Sequence, residues 1–283
     1  MGKLILFATT VLCLSCESKG AEPGQPQVPA WQAPELLASG FRFTEGPAWC
    51  EDGYLLFSDL SNNKIYKWNE NDGITTFLSP SESSNGICYD GTRFWVCRHM
   101  ARDIAVLNKE GEIASVVGSY DGLKLNSPND IAVSKQGTVY FTDPDYGVEP
   151  ADRELDFEGL YYAVNDSDGA ILADDSLSKP NGVALSPGHS KLYVCESSSN
   201  TIHVFDLTSE GMPANRRALC CISGDGEGDG IACHKSGYLF IAFSAGGIVI
   251  VSPEGEQQGH IAFSAKDRIR NLCFGEDDGN TLF

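Results

Sequence analysis

Basic residues are scarce in this sequence. Its 283 residues hold 20 lysines and arginines against 39 aspartates and glutamates, a formal net charge of −19, and no basic cluster stands anywhere along the chain. Nucleic acid is thereby excluded as a partner, because phosphate contacts need concentrated positive charge, and the acid excess reads as a solvated surface. Convincing amphipathic helices are missing, which argues against an α/β hydrolase or a dinucleotide-binding domain. There is no Gly-x-Ser-x-Gly elbow, so nothing points to a covalent serine nucleophile. Apart from the two cysteines near the N-terminus, no cysteine pair has the CxxC spacing of a zinc or redox site. Cysteine itself is not scarce: there are ten, two of them near the N-terminus. Cys88, Cys97, Cys195, Cys233 and Cys273 fall inside apolar runs, where a free thiol behaves as a small hydrophobe, while adjacent Cys220 and Cys221 are candidates for pairing in an oxidising compartment.

The N-terminus reads MGKLILFATTVLCLSCESKG. Its apolar stretch from Leu4 to Leu14 is too short to span a bilayer as a helix and, after one lysine and before small residues, has the form of a signal peptide over 1–16. Two outcomes are compatible with CLSC: plain secretion, or lipidation of Cys16 as in a bacterial lipobox. The expected location is therefore outside the cytoplasm, either periplasmic or tethered to a membrane through Cys16. Residues 17–34 are proline-rich without apolar period, as a linker is, and residues 35–283 form the domain.

Within that domain one pattern recurs: an oxygen-bearing side chain, a turn residue, an alternating apolar run, a glycine turn and a second apolar run. Copies start at Glu45, Asn85, Asn129, Asn181, Asp229 and Asn271, separated by 40, 44, 52, 48 and 42 residues on subtraction. Self-similarity at this period marks a repeat architecture. The turns at Asp52-Gly53, Asp90-Gly91, Gln136-Gly137 and Ser236-Gly237 are hairpin signals, and third and fourth apolar runs follow in most copies. Four antiparallel strands per unit predict an all-β, six-bladed β-propeller. The sixth copy stops at Thr281-Leu282-Phe283, so the last blade is expected to be incomplete, with residues 34–43 as the closing strand.

Equivalent positions at the starts of inner strands face one end of a propeller's channel. Six aligned oxygen side chains, two carboxylates and four carboxamides, form a hard-donor ring that suits Ca²⁺ and, with no thiol or imidazole among them, does not suit a soft metal. Asn, Asp and Gly are also ordinary turn formers at strand starts; the Glu is not, and two buried carboxylates close together repel unless a cation lies between them.

The segments EGPAW, LNSPNDIAVSKQGTVYFTDPDYG, KPNGVALSPGHSKLYV, GDGIAC and NLCFG resemble, in order, the motifs of the gluconolactonase and senescence marker protein (regucalcin) family. That resemblance implies a six-bladed propeller that hydrolyses lactones with a central divalent cation, most simply Ca²⁺, with Zn²⁺ or Mg²⁺ as alternatives. It implies Glu45, Asn181 and Asp229 as metal ligands, Asn129 contacting the metal or the substrate, and Asp229 as the proton acceptor. Regucalcin-like members carry an arginine two residues before Asn129, where this chain has Ser127; this puts an aldonolactone preference in question. His99 reads as a rim contact to substrate or as a packed loop histidine, Asp143 and Tyr146 as turn or supporting residues, and 147–159 as a lid whose acidity disfavours anionic substrates. The expected partner is a small lactone. An esterase, a lactonase for larger apolar rings and a non-catalytic binding propeller remain as alternatives.

Overall fold

The computed structural model describes residues 34–283 except 165–168, 225, 245, 264–267 and 277–278, and before them only the short strands 7–8, 10–13, 16–17 and 30–31. The signal-peptide, lipobox and linker readings thus fall largely outside the described residues. The domain is all β, with two single-turn 3₁₀ segments and no α-helix among the described residues.

Five four-stranded antiparallel sheets follow one another along the chain. Their inner strands are Thr44–Cys50, Ser84–Tyr89, Ile131–Val133, Pro180–Leu185 and Gly228–Cys233. Each next strand, such as Tyr54–Asp59, is buried on both faces and therefore reads as a nearly unbroken apolar run, whereas an outermost strand such as Gly73–Leu78 is partly exposed. One apolar cluster lies in each gap between consecutive blades; between the second and third it includes Trp95, Phe141 and Tyr161.

The expected blade count is corrected by the sixth repeat. It forms a two-stranded hairpin, Phe274–Gly275 with Thr281–Leu282, so the propeller has five four-stranded blades. The hairpin still fills its sector. Leu272 and Leu282 pack on the fifth blade, and Phe283 stacks on Trp49 of the first with ring centroids 4.8 Å apart. Glu35–Ser39, expected to close the last blade, pairs instead with Thr10–Cys13 and adds Leu37 and Ala38 to the Phe283 cluster.

Two local features at the inner strands build the site. The ladder between first and second strands shifts register between Glu45 and Ala48, Ser84 and Ile87, Pro180 and Val183, and Gly228 and Ile231. A bulge re-aims the side chain it carries, and the ring residues Glu45, Asn85, Asn181 and Asp229 all lie in these irregular steps. The residue that follows is glycine because neighbouring inner strands nearly touch there: a Cβ on Gly46 would sit 2.1 Å from the Asn85 carbonyl oxygen, and one on Gly182 2.5 Å from that of Asp229. The third blade has Asp130 instead, and its carboxylate runs into the channel, accepting from the Val183 amide at 3.0 Å and from Asn271 Nδ2 at 3.3 Å.

Candidate active site at the channel mouth

Glu45, Asn85, Asn129, Asn181 and Asp229 line one cavity of about 290 Å³ at the mouth where the inner strands begin. Asn271, expected as the sixth member of the ring, does not line it. Its Oδ1 accepts from the Leu272 amide at 2.8 Å and its Nδ2 reaches Asp130 at 3.3 Å. The sixth repeat has no four-stranded, bulged ladder to turn this side chain toward the mouth, and Asp130 offers it an acceptor deeper in the channel.

Arg270, one residue earlier, does reach the cavity. Its guanidinium donates to Asp229 Oδ2 at 3.1 Å and lies 5.1 Å from the Phe43 ring centroid. Among the described residues it is the one cationic side chain lining a cavity that also carries Glu45, Glu227 and Asp229. The sixth copy of the repeat begins at the next residue, Asn271, so Arg270 lies outside the sequence pattern.

Burial dominates the electrostatics. Glu45 is pushed well above the usual carboxylate range, first by burial and then by the charges of Asp229 and Asp130, with Arg270 pulling the other way. Asp229 is raised to about 6 by burial, offset by Arg270 and by Asn181. Asp130 is raised to about 7, again chiefly by burial. Asp130 too lies outside the expected site, although the alignment carries a signal for it, since it stands where four of the other five repeats have glycine.

His99 is buried, lines the cavity and faces Asn85, with Nδ2 3.0 Å from its Nε2. Burial lowers its pKa to about 4, so it is neutral near pH 7; with the amide nitrogen donating, Nε2 accepts and the ring proton is on Nδ1. Ser127 is fully buried and points away from the cavity: its hydroxyl donates to the Pro144 carbonyl at 2.6 Å and accepts from the Gly147 amide at 2.9 Å. Tyr146, beside it on the same loop, lines the cavity and is half exposed. Asp143 is buried behind that loop and accepts from the Asn126 amide at 2.7 Å. Ser197 also lines the cavity, but its hydroxyl donates to the Gly228 carbonyl, and His99 is not its partner. No activated serine results.

The donor set fits a hard divalent cation. Two carboxylates and three carboxamides converge, three acids face one guanidinium, and Asn85 Oδ1 is buried with no hydrogen-bond partner. Among the described residues no group of three or more His, Cys, Asp or Glu is placed to hold a metal ion by itself, so a cation here would depend on the carboxamide oxygens.

A β-propeller with a pocket of acids and amides at one channel mouth is the class that fold and site define. The chain belongs to the SMP-30/gluconolactonase/LRE-like family, whose model matches residues 43–283. It is 38% identical to a gluconolactonase of Zymomonas mobilis over 88% of this chain and 77% of that protein. It is 25% identical to a lactonase of Staphylococcus saprophyticus over 86% and 76%. A gluconolactonase structure from Xanthomonas campestris superposes with a TM-score of 0.79 at 30% identity, covering 88% of this chain and 84% of that one.

Proposed function

We propose that this protein hydrolyses a small polyhydroxylated lactone such as a gluconolactone, with a divalent cation held by Glu45, Asn129, Asn181 and Asp229, most simply Ca²⁺. The observation that carries the reading is the convergence of those four side chains in one cavity. The cavity size supports a single-ring substrate, since about 290 Å³ is at the lower edge of the roughly 300–1,000 Å³ of drug-sized sites.

A cation bound there supplies Lewis-acid polarisation of the ester carbonyl, typically worth several kcal/mol. The residues do the rest. Asp229, poised near pH 6 and above it ionised, accepts a proton from water as the water oxygen bonds to the acyl carbon. The ring C–O bond then breaks, the proton passes to the leaving oxygen, and a hydroxy acid results. Arg270 holds the Asp229 carboxylate in place through Oδ2. The buried ring of His99 and its Asn85 partner form one wall facing the substrate.

The test is a lactone panel assayed with protein stripped by chelator and then supplied with Ca²⁺, Zn²⁺ or Mg²⁺. Hydrolysis is expected to vanish on stripping and return with Ca²⁺. Full activity in excess chelator rejects the cation; silence with every metal, in protein that melts cooperatively, rejects the lactonase.

A further inference from the structure

The stretch 147–159, expected from its sequence to be a lid, belongs to a loop running from Pro144 to Glu158 that is tied down at both ends. On one side Ser127 holds the Pro144 carbonyl and the Gly147 amide. Gly147 lies so close to His99 that a Cβ there would meet Nδ1 at 2.8 Å. On the other side Lys179, entering the fourth blade, bonds the Asp145 carboxylate and donates to Glu158 Oε1 at 3.0 Å, while its own amide donates to Glu158 Oε2 at 2.8 Å. Glu158 Oε1 also accepts from the Asp145 amide at 3.0 Å, and Arg153 donates to Asp145 Oδ2 at 2.8 Å. Of the acids in 147–159 only Glu158 enters this clamp, joined by Asp145 just before the stretch, while Glu149, Asp152 and Asp156 are exposed.

Tyr146 sits in the middle of this clamp. Its ring lies 5.3 Å from Lys179 Nζ and its phenol faces Ser197 and Asn181 across the cavity. Nearly half of its surface is exposed although every neighbouring backbone anchor is fixed. A rigid aromatic face beside hydrogen-bonding side chains is what a ring with one apolar face and one hydroxylated edge packs against.

We propose that Tyr146, held by the Lys179 clamp, is the specificity-determining wall of this site: it packs on the face of a single lactone ring and excludes fused or larger rings. Lys179 is the positioning residue, acting through Asp145 and Glu158 without touching substrate. The inference rests on the lactonase reading and adds which rings that site takes.

The experiment compares kcat and KM for glucono-1,5-lactone and for dihydrocoumarin, a lactone fused to a benzene ring, in the full chain and in Tyr146→Ala, Lys179→Met and Lys179→Arg, each with a melting curve. Tyr146→Ala is expected to shift the kcat/KM ratio toward the fused lactone by about tenfold or more, the scale of a pocket change of a few methylenes. Lys179→Met is expected to shift it the same way by a smaller factor, through KM rather than kcat, with Lys179→Arg restoring part of the effect. An unchanged ratio in Tyr146→Ala, with wild-type activity present, overturns the wall alone. A Lys179→Met loss confined to kcat overturns the clamp. Wild-type protein inactive on both lactones overturns the lactonase reading and the wall with it.

Discussion

The two ends of the central channel are built from the same inner strands, a few residues apart, and share almost no chemistry. At the near mouth Glu45, Asn85, Asn129, Asn181 and Asp229 surround a polar cavity. Two to four residues further along, the far mouth opens a cavity of about 440 Å³ walled by Trp49, Tyr89, Phe274 and the thiols of Cys88, Cys233 and Cys273. Burial raises Cys88 and Cys233 to about 12 and Cys273 still further, so these are thiols near neutral pH and not nucleophiles. The difference arises from backbone geometry. Bulges at the strand starts turn oxygen side chains into the channel, and where the regular ladder resumes the strands present packing residues. Asp130, bonded to Val183 and Asn271, lies between the two and lines the far cavity. On the proposed reading one mouth does chemistry and the other holds the ring together.

Breaking the near mouth has the largest expected effect. Asp229→Asn keeps the shape and removes the base and one anion; a loss of about 10²- to 10⁴-fold in kcat/KM is expected, the range of general-base contributions, with a cooperative melt retained. Steady-state kinetics on the lactone that wild type hydrolyses best checks it, and a loss under threefold removes Asp229 from the mechanism. Next comes the far mouth. Trp49→Ala deletes the stack on Phe283 that joins the first blade to the hairpin. Because Trp49 is only half-buried, the cost should be about 2–3 kcal/mol, below the roughly 3–5 of a fully buried aromatic, with kcat/KM within about threefold of wild type when assayed below the melting temperature. If activity collapses while denaturant unfolding is unchanged, the division of labour between the mouths is wrong.

The division was half legible in the sequence. Repeat spacing, hairpin glycines and alternation specify the sheets, because those patterns are local; the oxygen side chains at the inner-strand starts follow from the same alignment. Arg270 and Asp130 were not singled out. Arg270 precedes its repeat's aligned position in a segment outside any strand, and only the fold brings it to Asp229, 41 residues earlier. Asp130 reads as a turn residue until the close approach of inner strands explains why its counterparts in the other four complete blades are glycine. Asn271 fits the pattern in sequence and departs from it in space, because the sixth repeat lacks the complete ladder whose register shifts aim Glu45, Asn85, Asn181 and Asp229. The blade count failed for the same reason: two short strands satisfy the repeat motif without making a fourth-strand sheet. Ser127 could be noted as a departure from the family's arginine, but its bond to the loop carrying Tyr146 is a tertiary fact.

The smallest expected effect separates the mouth's electrostatics from burial in general. Asp143 is fully buried outside the cavity, accepts from the Asn126 amide and has Oδ1 without a hydrogen-bond partner. Burial raises its pKa from 3.8 to about 7. The folded state therefore binds its proton more tightly than the unfolded chain does. Below about pH 4 both states are protonated and the contribution is complete; between about 4 and 7 the unfolded chain releases the proton while the fold keeps it, so stability falls as pH rises and the contribution is gone above 7. Glu45, Asp130 and Asp229 act in the same direction. Asp143→Asn mimics the protonated form at all pH values, and its drop in melting temperature from pH 5 to pH 8, measured by circular dichroism in metal-free buffer, should be smaller than wild type's by a few degrees, given about 2–4 °C per kcal/mol at this chain length. The slope that remains belongs mainly to Glu45, Asp229 and the deeper Asp130, and adding Ca²⁺ should flatten it further, because a cation at the near mouth favours the ionised carboxylates that burial opposes. A variant as pH-sensitive as wild type would place the whole effect at the mouth.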